Sequence, residues 1–308
     1  MQIASVDALI GGSSPNPDPK SFAFSSTADP GPLNRAEWIE FFALFFNKEY
    51  EASLLYDRTV ARYNCHKRAA QRRRTNEIVA WIAEYDFLTP TQYIISTSAY
   101  KKQFTQDAGG VLFEPSTTTF TDKASFLSAI AEVDVIIDED FVQDTSMATL
   151  ETFCTKYGVS PCDSSSSLKF MQTENVWRID GLKSNNATGG NDWFESSIPE
   201  PDVVLEDLIN ALDPSINPSH NRTWLRNVNN NEAVVVESAT CANVNATRVS
   251  RADACPIITA SADVAQDWNV TYYETFKYVV NGRVNEQYVL HERGTDARPA
   301  RQMFPNAK

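Results

Sequence analysis

The sequence predicts an α/β fold: a mostly parallel sheet flanked by helices, preceded by a long helix and followed by a β-hairpin. Three observations predict it. Between residues 76 and 228, short apolar runs alternate with segments of helical period. One run, Val133-Asp-Val-Ile-Ile137, is apolar and β-branched in the way of a strand buried on both faces. Near the end, Asn281-Gly282 separates two β-rich runs, which is the strongest short-range signal for a hairpin.

Residues 1–33 are rich in Ser, Pro, Asp and Gly, and only Ser21-Phe-Ala-Phe-Ser25 alternates like a strand. Asp29-Pro-Gly-Pro-Leu33 reads as a turn into a helix. Asn34 is the expected cap, and Trp38, Ile39, Phe41, Phe42, Phe45 and Phe46 form a broad apolar face at helical spacing. Asn47 is the expected break, because Asn tolerates the left-handed conformation. A second helix is expected over Lys48–Arg74, with Ala52, Leu55, Val60 and Tyr63 recurring on it. Its end carries His66, Lys67, Arg68, Arg72, Arg73 and Arg74, cations where the helix dipole favours them.

Strands are expected at Ile78–Ile82, Val111–Phe113, Val133–Ile137 and Val176–Ile179. Helices are expected at Ser98–Asp107, stopped by Gly109-Gly110, at Thr121–Glu132 with an Asp122 cap, and at Ser146–Tyr157, stopped by Gly158. Pro201–Leu212 is a helix with Pro in its first turn. The tail from Asn229 is β-rich, with runs at Val270–Val280 and Arg283–Leu290.

Composition narrows the function classes. The chain has 308 residues, with 27 Lys and Arg against 40 Asp and Glu, a net charge of −13. That balance argues against nonspecific binding to nucleic acid or to an anionic membrane, since phosphate binding needs a positive footprint. Arg72-Arg73-Arg74 therefore reads as a solvated helix end. No apolar run reaches the roughly 18 residues of a spanning helix. The first residues lack the basic and apolar regions of a secretory signal, so an extracellular or cell-surface location requires a signal supplied from elsewhere.

The five cysteines form no C-x-x-C. Their spacing fits local disulfides Cys154–Cys162 and Cys241–Cys255, with Cys65 left over; five thiols in a reducing compartment is the competing reading. Sequons stand at Asn186, Asn221, Asn245 and Asn269, about as many as chance gives at this content of Asn, Ser and Thr.

Motifs for enzyme chemistry are missing: there is no G-x-G-x-x-G, phosphate loop, G-x-S-x-G or H-E-x-x-H. His66, His220 and His291 lie in different segments, so neither a metal centre nor a triad is expected. Asp134, Asp138, Glu139 and Asp140 cluster at the C-terminal edge of a strand, where α/β folds place functional groups. A cation site, helix capping and plain solvation all remain open for them.

Two segments gain specificity when read together. The first is Gly31-Pro-Leu-Asn-Arg-Ala-Glu-Trp-Ile-Glu-Phe-Phe-Ala-Leu-Phe-Phe-Asn-Lys-Glu49, with the helix through Arg62-Tyr63. The second is Gly189-Gly-Asn-Asp-Trp-Phe-Glu195, followed by Pro201-Asp-Val-Val-Leu-Glu-Asp-Leu-Ile209 and Thr223-Trp-Leu-Arg226. In order and spacing they resemble the helical-backbone family of periplasmic substrate-binding proteins, the receptors of iron–siderophore, haem and cobalamin ABC importers. Ala99–Gly110 and Ala131–Asp138 fit the same picture. The sequons and the tail resemble eukaryotic secreted members.

The resemblance spans about residues 22–228 and implies two α/β lobes joined by one helix, with ligand in the cleft between them. It implies an irregular remnant of an N-terminal lobe at 1–33, helices including the joining one at 34–75, a substrate-binding lobe at 76–228 and a β-rich extension at 229–308. Most of the N-terminal lobe is then expected to be missing from the chain. Trp81, Tyr85, Tyr93, Trp193 and Phe194 are the expected ligand contacts, because aromatics with a polar tip suit a large, partly apolar metal chelate. Glu195 aligns with an acidic position that docks on a membrane permease or receptor in that family. No catalytic residue and no resident cofactor is expected. The implied function is noncatalytic binding of a metal chelate such as an iron–siderophore, haem or corrinoid. An interaction module or nonfunctional fragment is the alternative, and a metal-dependent enzyme on the same scaffold the next.

Overall fold

The computed structural model describes residues 6–11, 19–142, 147–184 and 190–236, and the strands at 272–280 and 283–291. The expected Cys241–Cys255 disulfide, the sequons at Asn186, Asn245 and Asn269, and Asn281-Gly282 lie outside the described residues.

The N-terminal strands β1 (Leu9–Gly11) and β2 (Ser21–Ala23) pair in parallel. Phe22 stacks on Phe45 with ring centres 4.0 Å apart, and Phe24 packs on Trp38 and Phe42. Those partners belong to helix α1 (Pro32–Ala43) and the 3-10 turn Leu44–Phe46 that follows it. The helix starts three residues earlier than an Asn34 cap allows. Proline is preorganised for the first helical position and its missing N–H has no role there, so Gly31 becomes the cap residue. Asn47 ends the turn at φ 53°, the left-handed break expected of it.

Helix α2 (Glu49–Gln71) buries Ala52, Thr59, Tyr63, His66, Ala69 and Ala70. This stripe is rotated away from Leu55, which is exposed, because small and polar residues face α8 (Pro201–Leu212). All twelve residues of α8 are buried. Its charged groups are met from α2: Arg62 Nε donates to Asp202 Oδ2 at 2.5 Å, and His66 Nε2 lies 3.1 Å from Glu206 Oε1. Such pairing is what permits carboxylates to sit inside a protein.

The main sheet has seven strands. They are β3 (Ile78–Tyr85), β4 (Gln92–Ser96), β5 (Val111–Leu112), β6 (Thr119–Phe120), β7 (Val135–Asp138), β8 (Val176–Arg178) and β10 (Arg226–Asn227). The order is β10-β8-β7-β3-β4-β6, and β5 shares the β4 edge of β3. All point one way except β4 and β10. The sheet is therefore mostly parallel, as expected, though the expected strands did not include β4, β6 or β10.

Alternation along the strands serves two layers. Ala80, Ile82, Tyr93, Ile95, Ile136 and Val176 face a core shared with Phe126, Phe153, Tyr157 and Phe170. Those rings come from α4 (Lys123–Ala129), α5 (Leu150–Tyr157) and α6 (Lys169–Gln172). The other face meets α3 (Ala99–Asp107): Trp81 Nε1 donates to Thr105 Oγ1 at 3.1 Å. Asp122 caps α4 by accepting from Ser125 N at 2.8 Å, and Gly158 closes α5 at φ 79°. Gly181 has a different reason to be glycine: a Cβ there would lie 2.7 Å from the Trp224 carbonyl oxygen. This contact precedes β9 (Leu182–Lys183), which pairs in parallel with β11 (Val235–Val236).

Cys154 and Cys162 form a disulfide. Cys65, expected to be left over, is also disulfide-bonded.

Residues 257–308 form a second unit. Within it β12 (Tyr272–Val280) and β13 (Arg283–His291) pair antiparallel, with Val280 opposite Arg283. This is the hairpin that Asn281-Gly282 predicts.

Candidate functional site

The carboxylates at the C-terminal edge of β7 resolve into two groups. Asp138 is fully buried and lies in register with Arg178 on β8, which pairs with it. Arg178 Nε donates to Asp180 Oδ2 at 3.0 Å, and Arg226 Nε donates to Asp180 Oδ1 at 2.6 Å. Tyr157 donates its phenol to Asp138 Oδ1 at 3.0 Å. Burial pushes the Asp138 carboxyl above its usual range, and Arg178 works against that shift. Asp140 is taken by Lys156, and Asp134 by Lys169 at 2.6 Å. These three acids are structural ion-pair partners. Among the described residues no group of three His, Cys, Asp or Glu could hold a metal ion.

Glu139 is the second group. It faces a cavity of about 260 Å³ at the C-terminal end of the parallel strands, where open α/β sheets bind ligands. One wall is Tyr100 and Phe104 of α3, and another is Trp193 and Phe194 of α7 (Trp193–Ser196). Pro32 and Arg35 of α1 close a third side, with Ile198 and Pro201 beside them. Lys101 pairs with Glu139 and also donates to Ser96 Oγ at 2.9 Å. Burial raises the Glu139 carboxyl, while Lys101 opposes the rise. Burial and the neighbouring Glu139 raise the Tyr100 phenol, which stays neutral at ordinary pH.

Arg35 is held rigidly. Its Nε donates to the Asp29 carbonyl at 2.9 Å and its Nη2 to the Thr27 carbonyl at 2.6 Å. The guanidinium carbon lies 3.7 Å from the Tyr100 ring centre. The Asp29 carboxylate accepts from the Trp38 indole.

Behind the cavity stand three tryptophans. The ring centres of Trp81 and Trp193 are 6.1 Å apart, and those of Trp193 and Trp224 are 6.0 Å apart. Trp224 Nε1 donates to Asp192 Oδ2 at 2.9 Å, and Trp193 N donates to Asn191 Oδ1 at 3.0 Å. Asn191 and Asp192, which lead into α7, are thereby held in place.

Of the expected ligand contacts, Trp193 and Phe194 line the cavity. Trp81 does not: it is fully buried, with its indole N–H spent on Thr105, and supports Trp193 from behind. Tyr93 is a core residue of β4, against Phe126 and Tyr157. Tyr85 ends β3 half-exposed, against Phe87, and does not line the cavity. Glu195 is exposed on α7 beside Phe194. Arg35, Tyr100 and Glu139 were missed as lining residues. Only Glu139 had a signal, its place just past a buried strand.

His66 and His220 serve structure. His66 meets Glu206, and His220 Nε2 lies 2.8 Å from Asp207 Oδ1, with both pairs buried.

No family model matches the chain, and no curated protein matches it. Several solved structures are similar in outline. Haem-bound IsdE of Staphylococcus aureus is 13% identical over 63% of this chain and 68% of that one, with a TM-score of 0.44. A periplasmic haem-binding protein from Pseudomonas aeruginosa is 14% identical over 73% and 77%, at 0.45. The periplasmic vitamin B12-binding protein BtuF of Vibrio cholerae is 12% identical over 64% and 67%, at 0.41. The chain is thus similar to substrate-binding proteins, the class its sequence resembles, at a level that describes outline alone.

Proposed function

We propose that the chain is a noncatalytic ligand-binding protein whose ligand enters the cavity between α1, α3 and α7. The observation that carries this reading is the cavity itself: four aromatic rings, one fixed guanidinium and one carboxylate converge at the C-terminal end of parallel strands. Ligand sites are built this way, from apolar walls with a few placed polar groups. His66 and His220 are each engaged by a buried carboxylate away from the cavity, which favours binding over acid–base chemistry.

The ligand class is a metal chelate of the iron–siderophore, haem or corrinoid type, and the partner a membrane permease or surface receptor reached through exposed Glu195. The cavity, about 260 Å³, lies just under the roughly 300–1,000 Å³ of sites for drug-sized ligands. It holds one edge of such a chelate. An extracellular or cell-surface location agrees with the Cys154–Cys162 disulfide and with exposed Asn221 in a sequon. No described helix is long and apolar enough to cross a membrane.

The test is thermal denaturation of the full chain with a panel of ferric siderophores, haem and corrinoids. A ligand that binds the native state raises the melting temperature with concentration. A panel that leaves it unmoved sinks the reading.

A further inference from the structure

We infer that the cavity selects a flat aromatic ring carrying an anionic group, an aryl carboxylate or its like, with the anion on Arg35 and the ring against Trp193, Phe194 and Phe104; this rests on the ligand-binding reading above.

Charge balance comes first. Two acid or base side chains are already neutralised within the wall: Lys101 and Glu139 pair there, with side chains only 9% and 13% exposed. Arg35 is not neutralised. Its bonded partners, the carbonyls of Asp29 and Thr27, carry no net charge, and the Asp29 carboxylate serves Trp38. Among the described residues Arg35 forms no ion pair. One positive charge therefore faces the cavity without a counter-charge. A guanidinium recognises a carboxylate through paired N–H donors, and hydrogen bonds between charged groups are the strong ones.

Arg35 is also preorganised. Two carbonyls and the Tyr100 ring fix its plane, so little side-chain entropy is left to lose on binding. A cationic ligand meets like charge at the same place.

Size and shape give the rest. An apolar cavity of about 150 Å³ accommodates benzene, so one of about 260 Å³ takes a substituted ring or a fused pair of rings. Phe194 is 53% exposed although it is aromatic. A ring laid against it covers that surface.

The experiment uses three probes of one shape and different charge: 2-naphthoate, 2-naphthylmethanol and 2-naphthylmethylammonium. Binding to the full chain is followed by tryptophan fluorescence and by calorimetry. The naphthoate is expected to bind at least about tenfold tighter than the alcohol, the margin of one charged hydrogen-bond pair. The ammonium is expected to bind weakest, and added salt to weaken only the naphthoate. Arg35→Gln should erase the margin of acid over alcohol, and Arg35→Lys should keep part of it. Melting curves check that both variants are folded. Phe194→Ala supplies an arm that leaves the Arg35 contacts intact, and it should weaken acid and alcohol together. Equal affinity for acid and alcohol, or an acid margin that survives Arg35→Gln, overturns the assignment. If every naphthyl probe fails while a chelate still raises the melting temperature, the ligand class is wrong and the receptor reading stands. If the chelates fail as well, both fall.

Discussion

Asp207 Oδ2 accepts the backbone N–H of Trp224 at 2.7 Å, across 17 residues of sequence. The same carboxylate accepts the N–H groups of Thr223 and Leu225, and His220 lies 2.8 Å from its other oxygen. One buried acid on α8 thus holds the segment that presses Trp224 on Trp193 behind the cavity. Replacing it with Asn turns an amide group toward these donors. Asp207→Asn is expected to cost about 2–4 kcal/mol, the range for breaking a buried network, measured by chemical denaturation.

Trp81 and Phe194 should behave as opposites. Trp81→Ala removes a ring with no exposed surface and should cost about 3–5 kcal/mol. Phe194→Ala removes a ring with 53% exposed and should change stability by less than about 0.5 kcal/mol while lowering ligand affinity. Melting curves and ligand titrations on the two variants separate core from site. A Phe194 variant that binds as the parent does would remove that ring from the site.

Stability should depend on pH through Glu77. Burial, then Asp134 and Asp213, raise its carboxyl above its ordinary value of 4.5, against the pull of Lys169. A carboxyl raised on folding binds its proton more tightly in the native state. Its contribution is therefore fully present below the unfolded value, near 4.5, and is lost as pH climbs through the folded one. Glu77→Gln cannot ionise. It should melt increasingly above the parent between pH 4.5 and 7, by about half a kcal/mol at most after screening by solvent. A constant gap across that window rejects Glu77 as the source.

The Cys154–Cys162 disulfide closes a loop of sequence separation 8. Chain-entropy arguments give about 2.5 kcal/mol for a loop this short. Cys154→Ala/Cys162→Ala should lower stability by roughly that amount, read from denaturant midpoints under oxidising conditions. No change would mean that α5 and its neighbouring loop hold themselves.

Where a local signal existed, the fold was legible. Pro201 marked the start of α8, Asp122 the cap of α4, Gly158 the end of α5 and Asn47 the left-handed break. Strand β4 was not legible. Its apolar run, Tyr93-Ile-Ile95, is three residues long, and its pairing with β3 is antiparallel within a βα series. Tyr93 consequently looked like a loop aromatic free to meet ligand, whereas the pleat turns it into the core. Trp193 and Phe194, which the resemblance implies as ligand contacts, line the cavity. Arg35 was not legible: it sits one turn into a helix full of larger signals, and only tertiary structure brings it over Tyr100.

The pairs between α2 and α8 recur one turn apart on both helices, Arg62 with Asp202 and His66 with Glu206. They act as a vernier. Sliding α2 by one turn so that His66 met Asp202 would set Ala70 against Glu206 and leave that buried acid without its partner. Shear in that direction is therefore barred, since a buried acid stripped of its partner costs several kcal/mol. The long helix thus holds α8 in place against that slip, and with it the part of the cavity wall that Pro201 contributes.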